Sequence, residues 1–430
     1  MAARRVVITG MGAVTPLGNN AHETWEALCE GKSGIHRISL FDAESFPTQI
    51  AGEVKGLDSS RLKKFFPDVS LLGRNSVFAI EAAREAVSDA GIGQDTVSAE
   101  RFGIYFGAGD GGFNFKEYAS ILADSVENGD GMINTEKYLS NTRTRTRPKV
   151  LLEQEPHQVV NHLADIFGAR GPVFNCLTAC AASSQAIGEA AERIKSGDAD
   201  LMLSGGSHSM IHPLGLAGFN LLTALSTRNS EPEKASRPFD KDRDGFVLSE
   251  GAGVLVLEEL EHARDRGARI YAELIGYGGT ADAFRLTDPH PDGRGAIRAM
   301  QLAIEHAGIK PGEIHCINAH GTSTQLNDQI ETRAVKEVFG DEAGKIPMSS
   351  IKSMLGHMIA SAGAVELIAS VLTIREGIIP PTINYQTPDE ACDLDYVPNH
   401  ARRQKVKTVL SNSFGFGGQN IALIVRRFNG

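Results

Sequence analysis

Cys180 lies in the run NCLTACAASSQAIGEA, where a tight turn of small residues gives way to a helix. That spacing sets its sulfur at a helix N-terminus, where partial positive charge favours thiolate. Small neighbours let the backbone come close to the nucleophile, and a nearby N–H can stabilise a developing oxyanion. Cys176, one turn earlier, reads as a buried structural cysteine.

Two histidines stand downstream in settings that suit the same chemistry. His320, in INAHGTST, follows an apolar strand at its handover to a Gly/Thr loop, and His357, in KSMLGHMIASAGA, stands at the mouth of a second small-residue helix. If both rings enter one cleft as neutral imidazoles, their Nε2–H groups can stabilise a thioester enolate, as a carbon nucleophile made by decarboxylation requires. Lys352 and Glu331 lie near them in sequence and could form a charged pair that holds the imidazoles. The other histidines, including His22, His157, His212 and His400, read as structural. Cys180, His320 and His357 lack the close spacing and the fourth ligand that zinc needs, so no metal is expected. In SNSFGFGGQN, Phe414 and Phe416 alternate with glycines, Gly417 and Gly418 among them. Such a loop can swing while its rings plug an apolar channel.

These residues need rigid elements to position them. Strand patterns fall at Val6–Thr9, Gly103–Phe106, Leu201–Ser204, Gly253–Leu257, Ile270–Ile275, Ile314–Asn318, Thr408–Ser411 and Ile421–Val425. Helical patterns lie between them at Ser76–Ala90, Ala181–Ser196, Ala296–Ala307, Asp328–Val338 and Ile359–Glu376. The alternation predicts a layered α/β protein. The helices after Cys180 and His357 are small and mostly apolar on nearly every side, which predicts that both are buried. Each follows a loop with a candidate catalytic residue and precedes a strand entering a Ser/Gly-rich loop (LMLSGGS, VLSNSFGFGG), suggesting an internal duplication. The join falls near residues 256–270, giving halves 1–258, with Cys180, and 259–430, with both histidines.

Over 430 residues the formal net charge is -10, which argues against a broad nucleic-acid or anionic-membrane surface. The five cysteines are odd in number and show no framework spacing, so a reducing cytoplasmic setting is expected. No signal-peptide core or long apolar run is evident, and no membrane association is expected.

With Cys180, His320, Lys352, His357 and the GFGG loop in this order, the chain resembles elongating β-ketoacyl-acyl carrier protein synthases of type II. The resemblance spans nearly the whole sequence, including VVITGMGAVTPLG, RPFDKDRDGFVLSEGAGVLVLEELEHARDRGA, NAHGTSTQLND, KSMLGH and NSFGFGGQN. It implies a duplicated thiolase-like fold with α-β-α-β-α layers, a homodimer, and a decarboxylative Claisen condensation without metal or organic cofactor. It further implies that Cys180 takes an acyl group from acyl carrier protein, with its N–H and that of Phe416 as oxyanion hole. His320 and His357 would bind the malonyl thioester and stabilise its enolate, with Lys352 and Glu331 in support and Phe416 as gate. Asp110, Thr322, Thr324, Phe414, Gly417 and Gly418 are the expected substrate-binding positions.

The chain departs from the family pattern in places. Asp110 stands where an apolar residue usually lines the acyl pocket, so a shortened or polar pocket is expected. Asn141–Lys149 (NTRTRTRPK) is an insertion-like loop in which Arg143, Arg145 and Arg147 would share one face of an extended segment, available to an acidic carrier protein or a partner. Near the Ser76 helix, only Lys63, Lys64 and Arg74 supply a basic patch. A specialised polyketide or unusual-lipid ketosynthase is the rival reading, and a non-catalytic chain-length partner another, though Cys180 argues against the latter.

Overall fold

The computed structural model describes residues 4–93, 95–109, 114–127 and 131–430. Asp110 therefore lies outside the described residues.

Ten strands form one mixed sheet. In chain order they are β1 (Val6–Val14), β2 (Phe102–Ala108), β3 (Val173–Cys176), β4 (Leu201–His208), β5 (Gly251–Glu259), β6 (Ala272–Ala281), β7 (Cys316–Asn318), β8 (Met348–Ser349), β9 (Thr408–Phe414) and β10 (Gln419–Arg426). Their spatial order is β8-β7-β9-β10-β6-β1-β5-β4-β2-β3. Counted within each half, the order is the same, 3-2-4-5-1, reversed about the β1–β6 seam. The pairing sense repeats as well: β2 is parallel to β3 and β4, while β4–β5 and β5–β1 are antiparallel. Likewise β7 is parallel to β8 and β9, while β9–β10 and β10–β6 are antiparallel. Only a short antiparallel register, Val7↔Glu273 and Ile8↔Ala272, joins the two.

Six helices fill the layers: α1 (Arg74–Asp89), α2 (Gln158–Phe167), α3 (Ala182–Lys195), α4 (Arg294–Ala307), α5 (Gln325–Phe339) and α6 (Ala362–Glu376). Helices α1 and α2 pack together outside the first half of the sheet, and α4 and α5 do so outside the second. Between the halves lie α3 and α6, each in contact with strands of both, which completes the α-β-α-β-α arrangement. Their composition explains the position: α6 is buried along almost its whole length, and α3 over most of it. A side chain at Gly363 could not be accommodated, since a Cβ there would lie 2.0 Å from Ser184 Oγ of α3.

The sequence pattern missed the short strands β3 and β8, and it misread Asn141–Lys149. Residues Thr135–Arg145 form a helix, so Arg143 and Arg145 point in different directions rather than sharing a strand face. Asn134 caps this helix by accepting from Lys137 N at 3.0 Å. Arg145 pairs with Asp124, and Arg147 lies 3.9 Å from Asp68. Arg74 is turned inward onto buried Glu250, with Nε 2.8 Å from Oε2, and does not belong to a free basic patch. Among the described residues, no helix is long and apolar enough to cross a membrane.

Candidate active site

β3 ends at Cys176, and the chain turns through Ala179, whose φ of +47° is unusual for a residue with a side chain. Cys180 follows in a single 3₁₀ turn, Ala179–Ala181, that runs straight into α3. The predicted elbow is therefore present, but its electrostatic consequence is reversed. Burial pushes the Cys180 thiol up to about 11, against the lowering pull of the Phe416 N–H, the Lys352 charge and the thiol's own backbone N–H. Desolvation of a charged sulfur outweighs the helix N-terminus here, so the resting group is thiol, not thiolate. Two amides touch the sulfur, those of Phe416 and Cys180.

His320 and His357 come together from separate elements. His320 follows β7, and His357 stands just before a second 3₁₀ turn, Ile359–Ser361, that runs into α6. Their ring centroids are 5.5 Å apart and nearly perpendicular, and both rings line a cavity of about 300 Å³ with Cys180. His357 Nδ1 accepts from Ile359 N at 3.2 Å. The ring proton therefore resides on Nε2, which has no partner among the described residues. Burial, reinforced by the Lys352 charge, holds both imidazoles well below their ordinary value, so they are neutral.

The expected Lys352–Glu331 pair does not form. Lys352 Nζ donates instead to Glu366 Oε1 on α6, and both side chains are buried. Burial pushes the Glu366 carboxyl upward against the pull of Lys352. Glu331 fixes the histidine loop: its oxygens accept from His320 N at 2.8 Å, Gly321 N at 2.7 Å and Asn412 Nδ2 at 3.1 Å. Burial raises the Glu331 carboxyl to about 7. Neither Glu366 nor Asn412 was anticipated. Glu366 nevertheless left a signal, as the one acid within the apolar run AGAVELIAS.

Thr322 and Thr324 line the cavity, and their hydroxyls lie 2.9 Å apart. Phe414, at the end of β9, sets its ring 5.7 Å from that of His320. Phe416 and Gly415 complete this wall. Gly417 and Gly418 do not reach the cavity wall. With φ of +90° and +84° they make the turn that brings Phe416 back over Cys180, a conformation glycine adopts without strain.

On its other side the thiol joins a buried apolar cluster with Ile211, Leu216, Leu225, Phe246 and Ile359. Phe246 lines the cavity as well, so the sulfur stands between the cavity and an apolar interior.

The family model described as Beta-ketoacyl synthase, N-terminal domain, matches residues 3–263, and that of the C-terminal domain matches residues 271–386. Over 99% of both chains, the sequence is 45% identical to the Coxiella burnetii protein named 3-oxoacyl-[acyl-carrier-protein] synthase 2. It is 43% identical to the protein of the same name from Synechocystis, over 99% of this chain and 98% of that one. Among solved structures, a β-ketoacyl synthase from Burkholderia phymatum superposes with a TM-score of 0.88 at 36% identity, over 99% of this chain and all of that one. A type II polyketide ketosynthase in complex with its acyl-carrier protein gives 0.87 at 36% identity, with the same coverage.

Proposed function

The chain belongs to the β-ketoacyl synthase family, and from that premise we propose that Cys180, His320 and His357 carry out its condensation. The enzyme is a β-ketoacyl-acyl carrier protein synthase acting in fatty acid elongation. It joins an acyl group to malonyl-acyl carrier protein with loss of carbon dioxide.

In the first step the Cys180 sulfur attacks the acyl thioester carbonyl. The amides of Cys180 and Phe416 hold the oxyanion, and the carrier-protein thiol departs with the cysteine proton. The malonyl thioester then enters the cavity, where Thr322 and Thr324 supply hydroxyls. Its carbonyl oxygen accepts from His320 and His357. As the carboxylate leaves as carbon dioxide, the electron pair of the broken C–C bond becomes an enolate held by two neutral N–H donors. Its carbon attacks the acyl carbonyl on Cys180, and the tetrahedral intermediate collapses to expel the cysteine sulfur as thiolate, which takes a proton from solvent to restore the thiol. The observation behind this assignment is the His357 tautomer, whose Nδ1 is occupied by Ile359 N and whose Nε2–H is left for substrate. Mass spectrometry tests it: acyl-carrier protein alone should add an acyl mass to Cys180, and malonyl-carrier protein should then release the β-ketoacyl product. No acyl mass on Cys180 overturns the assignment.

Its protein partner is an acyl carrier protein. The assembly we favour is a homodimer: β3 is an edge strand, with Phe174 within it exposed by 43% and Leu177 just after it by 62%. An apolar sheet edge of this kind is normally covered, and a second copy pairing along β3 would cover it. The five unpaired cysteines support a reducing, cytoplasmic compartment. The specialised polyketide reading is not adopted, because the relatives named 3-oxoacyl-[acyl-carrier-protein] synthase 2 match at 41–45% identity and the type II polyketide ketosynthase at 36%.

A further inference from the structure

The run FDKDRDGF carries Arg243 into the interior, where its side chain is fully buried and the condensation above gives it no part. Its guanidinium makes four hydrogen bonds. Nε donates to Thr324 O and Nη2 to Gln325 O, both at 3.1 Å, while Nη1 donates to Asp240 O at 2.6 Å and Asp389 Oδ2 at 2.7 Å. Asp328 Oδ2 stands 3.6 Å from Nε. A buried ion pair is a poor source of stability, since desolvation offsets most of its attraction. Here three of the four bonds go to main-chain carbonyls, so the planar fork fixes backbone as well as balancing charge.

That backbone is cavity wall. Two loops supply much of the lining: Thr322, Thr324 and Gln325 from one, Asp244, Gly245 and Phe246 from the other. Arg243 joins them, because it immediately precedes Asp244 and its fork holds the carbonyls of Thr324 and Gln325. The hold is reciprocal, as Gln325 Nε2 donates to Arg243 O at 2.6 Å and Gly245 N to Ser323 O at 3.1 Å. Asp328 adds to it by accepting from Thr322 N at 3.0 Å. Ser323 has a φ of +69°, a backbone conformation that these ties must maintain against its cost. Phe246 in turn packs T-shaped against the His357 ring, with centroids 5.3 Å apart.

Resting on the assignment of this cavity as the place where carrier-borne thioesters bind, we propose that Arg243 is a positioning residue for the condensation: it holds the threonine loop at a fixed separation from the Phe246 loop, and so sets the fit of a carrier's thioester arm between them. It touches neither thioester nor thiol. Its effect therefore belongs to binding of the arm, shared by acyl and malonyl carriers, and not to the reactivity of Cys180. Lysine cannot replace it. An ammonium keeps the charge facing Asp328 and Asp389, but a point donor does not span the carbonyls of Thr324, Gln325 and Asp240 as the fork does.

The test is Arg243→Lys, with kcat and KM measured for acylation from acyl-carrier protein and for condensation with malonyl-carrier protein. Both KM values should rise roughly 10- to 100-fold, the cost of an ångström-scale misplacement, while kcat changes far less. Two probes that make no use of the loops should behave as in the parent: iodoacetamide alkylation of Cys180, and acylation by the S-ethyl thioester of the same acyl group, which lacks the carrier's arm. A purely structural role would move these two as well. Asp389→Asn gives a second route, because Asp389 does not line the cavity and weakening its bond to Nη1 should raise the same KM values by a smaller factor. Parent KM values for both carriers in Arg243→Lys, or in Asp389→Asn where the first does not fold, overturn the proposal. So does a loss of equal size with the carriers and with both small probes. Either result leaves the parent's acylation of Cys180 untouched, whereas absence of acyl mass on Cys180 in the parent defeats the functional assignment itself.

Discussion

Ala179 and Ile359 are counterparts: each has a positive φ, +47° and +44°, and each opens a single 3₁₀ turn that feeds one of the two central helices. The next residue is Cys180 in the first half and Ala360 in the second. The same backbone device is thus used twice, once to present a nucleophile and once to set the main-chain N–H of Ile359 against His357 Nδ1. Positive φ costs of order 1–3 kcal/mol for a residue with a side chain, least for small ones.

A first prediction follows for the elbow. Ala179→Val should destabilise by about 1–3 kcal/mol, because a β-branched residue tolerates this backbone region poorly. Ala179→Gly should fold with stability within about 1 kcal/mol of the parent, since glycine adopts the region freely but adds chain entropy to the unfolded state. Its acylation rate should fall, because Cys180 would be held less firmly. Denaturant unfolding and single-turnover acylation measure the two effects, and equal stability of the Val and parent proteins would refute the strained turn.

The imidazoles give a second. Burial and the Lys352 charge depress both His320 and His357, so both rings should stay neutral one unit below the ordinary value of 6.5. Carbon and nitrogen shifts of labelled histidine, read at that pH, distinguish neutral from protonated rings. Protonation of either active-site ring at that pH would remove the physical basis for two N–H donors facing a developing enolate without a proton to lose.

Much of this architecture was legible from residue types. Two helices made of small residues all round can only be buried, and their repeated context announced a duplication that the strand order makes plain. What the sequence hid were energies and long-range partners. The position of Cys180 before a helix argued for thiolate, but desolvation, which depends on everything packed around the sulfur, prevails. Lys352 was matched with Glu331 because both flank the histidines, whereas Glu366, one helix away, takes the ammonium and Glu331 binds main-chain amides. Alternating Arg and Thr in 141–149 mimicked a strand. The Asn134 cap and the Thr142 Oγ1 bond to Tyr138 O, at 2.8 Å, belong to a helix. Asp110 lies outside the described residues, and no pocket dimension rests on it.

The Lys352–Glu366 pair yields a third prediction. Removing one partner of a buried pair strands a charge and costs about 3–5 kcal/mol, so Lys352→Met alone should unfold well before the parent. Lys352→Met combined with Glu366→Leu should recover most of that loss, because no uncompensated charge remains. Decarboxylation of malonyl-carrier protein should nonetheless stay depressed by at least tenfold in the double variant, since the positive charge that bears on both imidazoles and on Cys180 is gone. The imidazoles should also titrate closer to 6.5, as removal of a nearby positive charge favours protonation. Full recovery of activity with stability would reduce the pair to a packing element.

The last prediction concerns the thiol itself. With Cys180 raised to about 11, only a small fraction is thiolate near neutrality, and that fraction grows about tenfold for each pH unit until the group titrates. The rate of iodoacetamide alkylation, followed on the Cys180 peptide by mass spectrometry, should climb with that slope from neutrality upward. A plateau near neutral pH would mean that the helix start and the two amides outweigh burial after all. Stability carries the same signature with a definite sign. The folded thiol lies above its ordinary value of 9.0, so the stabilisation from burying it uncharged is complete below that pH and is lost as pH rises toward about 11. Cys180→Ala should therefore lose less stability than the parent across that interval, though Cys316 and Cys392, both pushed up to about 12, continue to titrate in either protein. Acyl transfer in the parent should rise over the lower part of the same range while the fold holds. If Cys180→Ala and the parent lose stability identically on the alkaline side, the thiol is not desolvated, and the attack on the acyl thioester starts from thiolate.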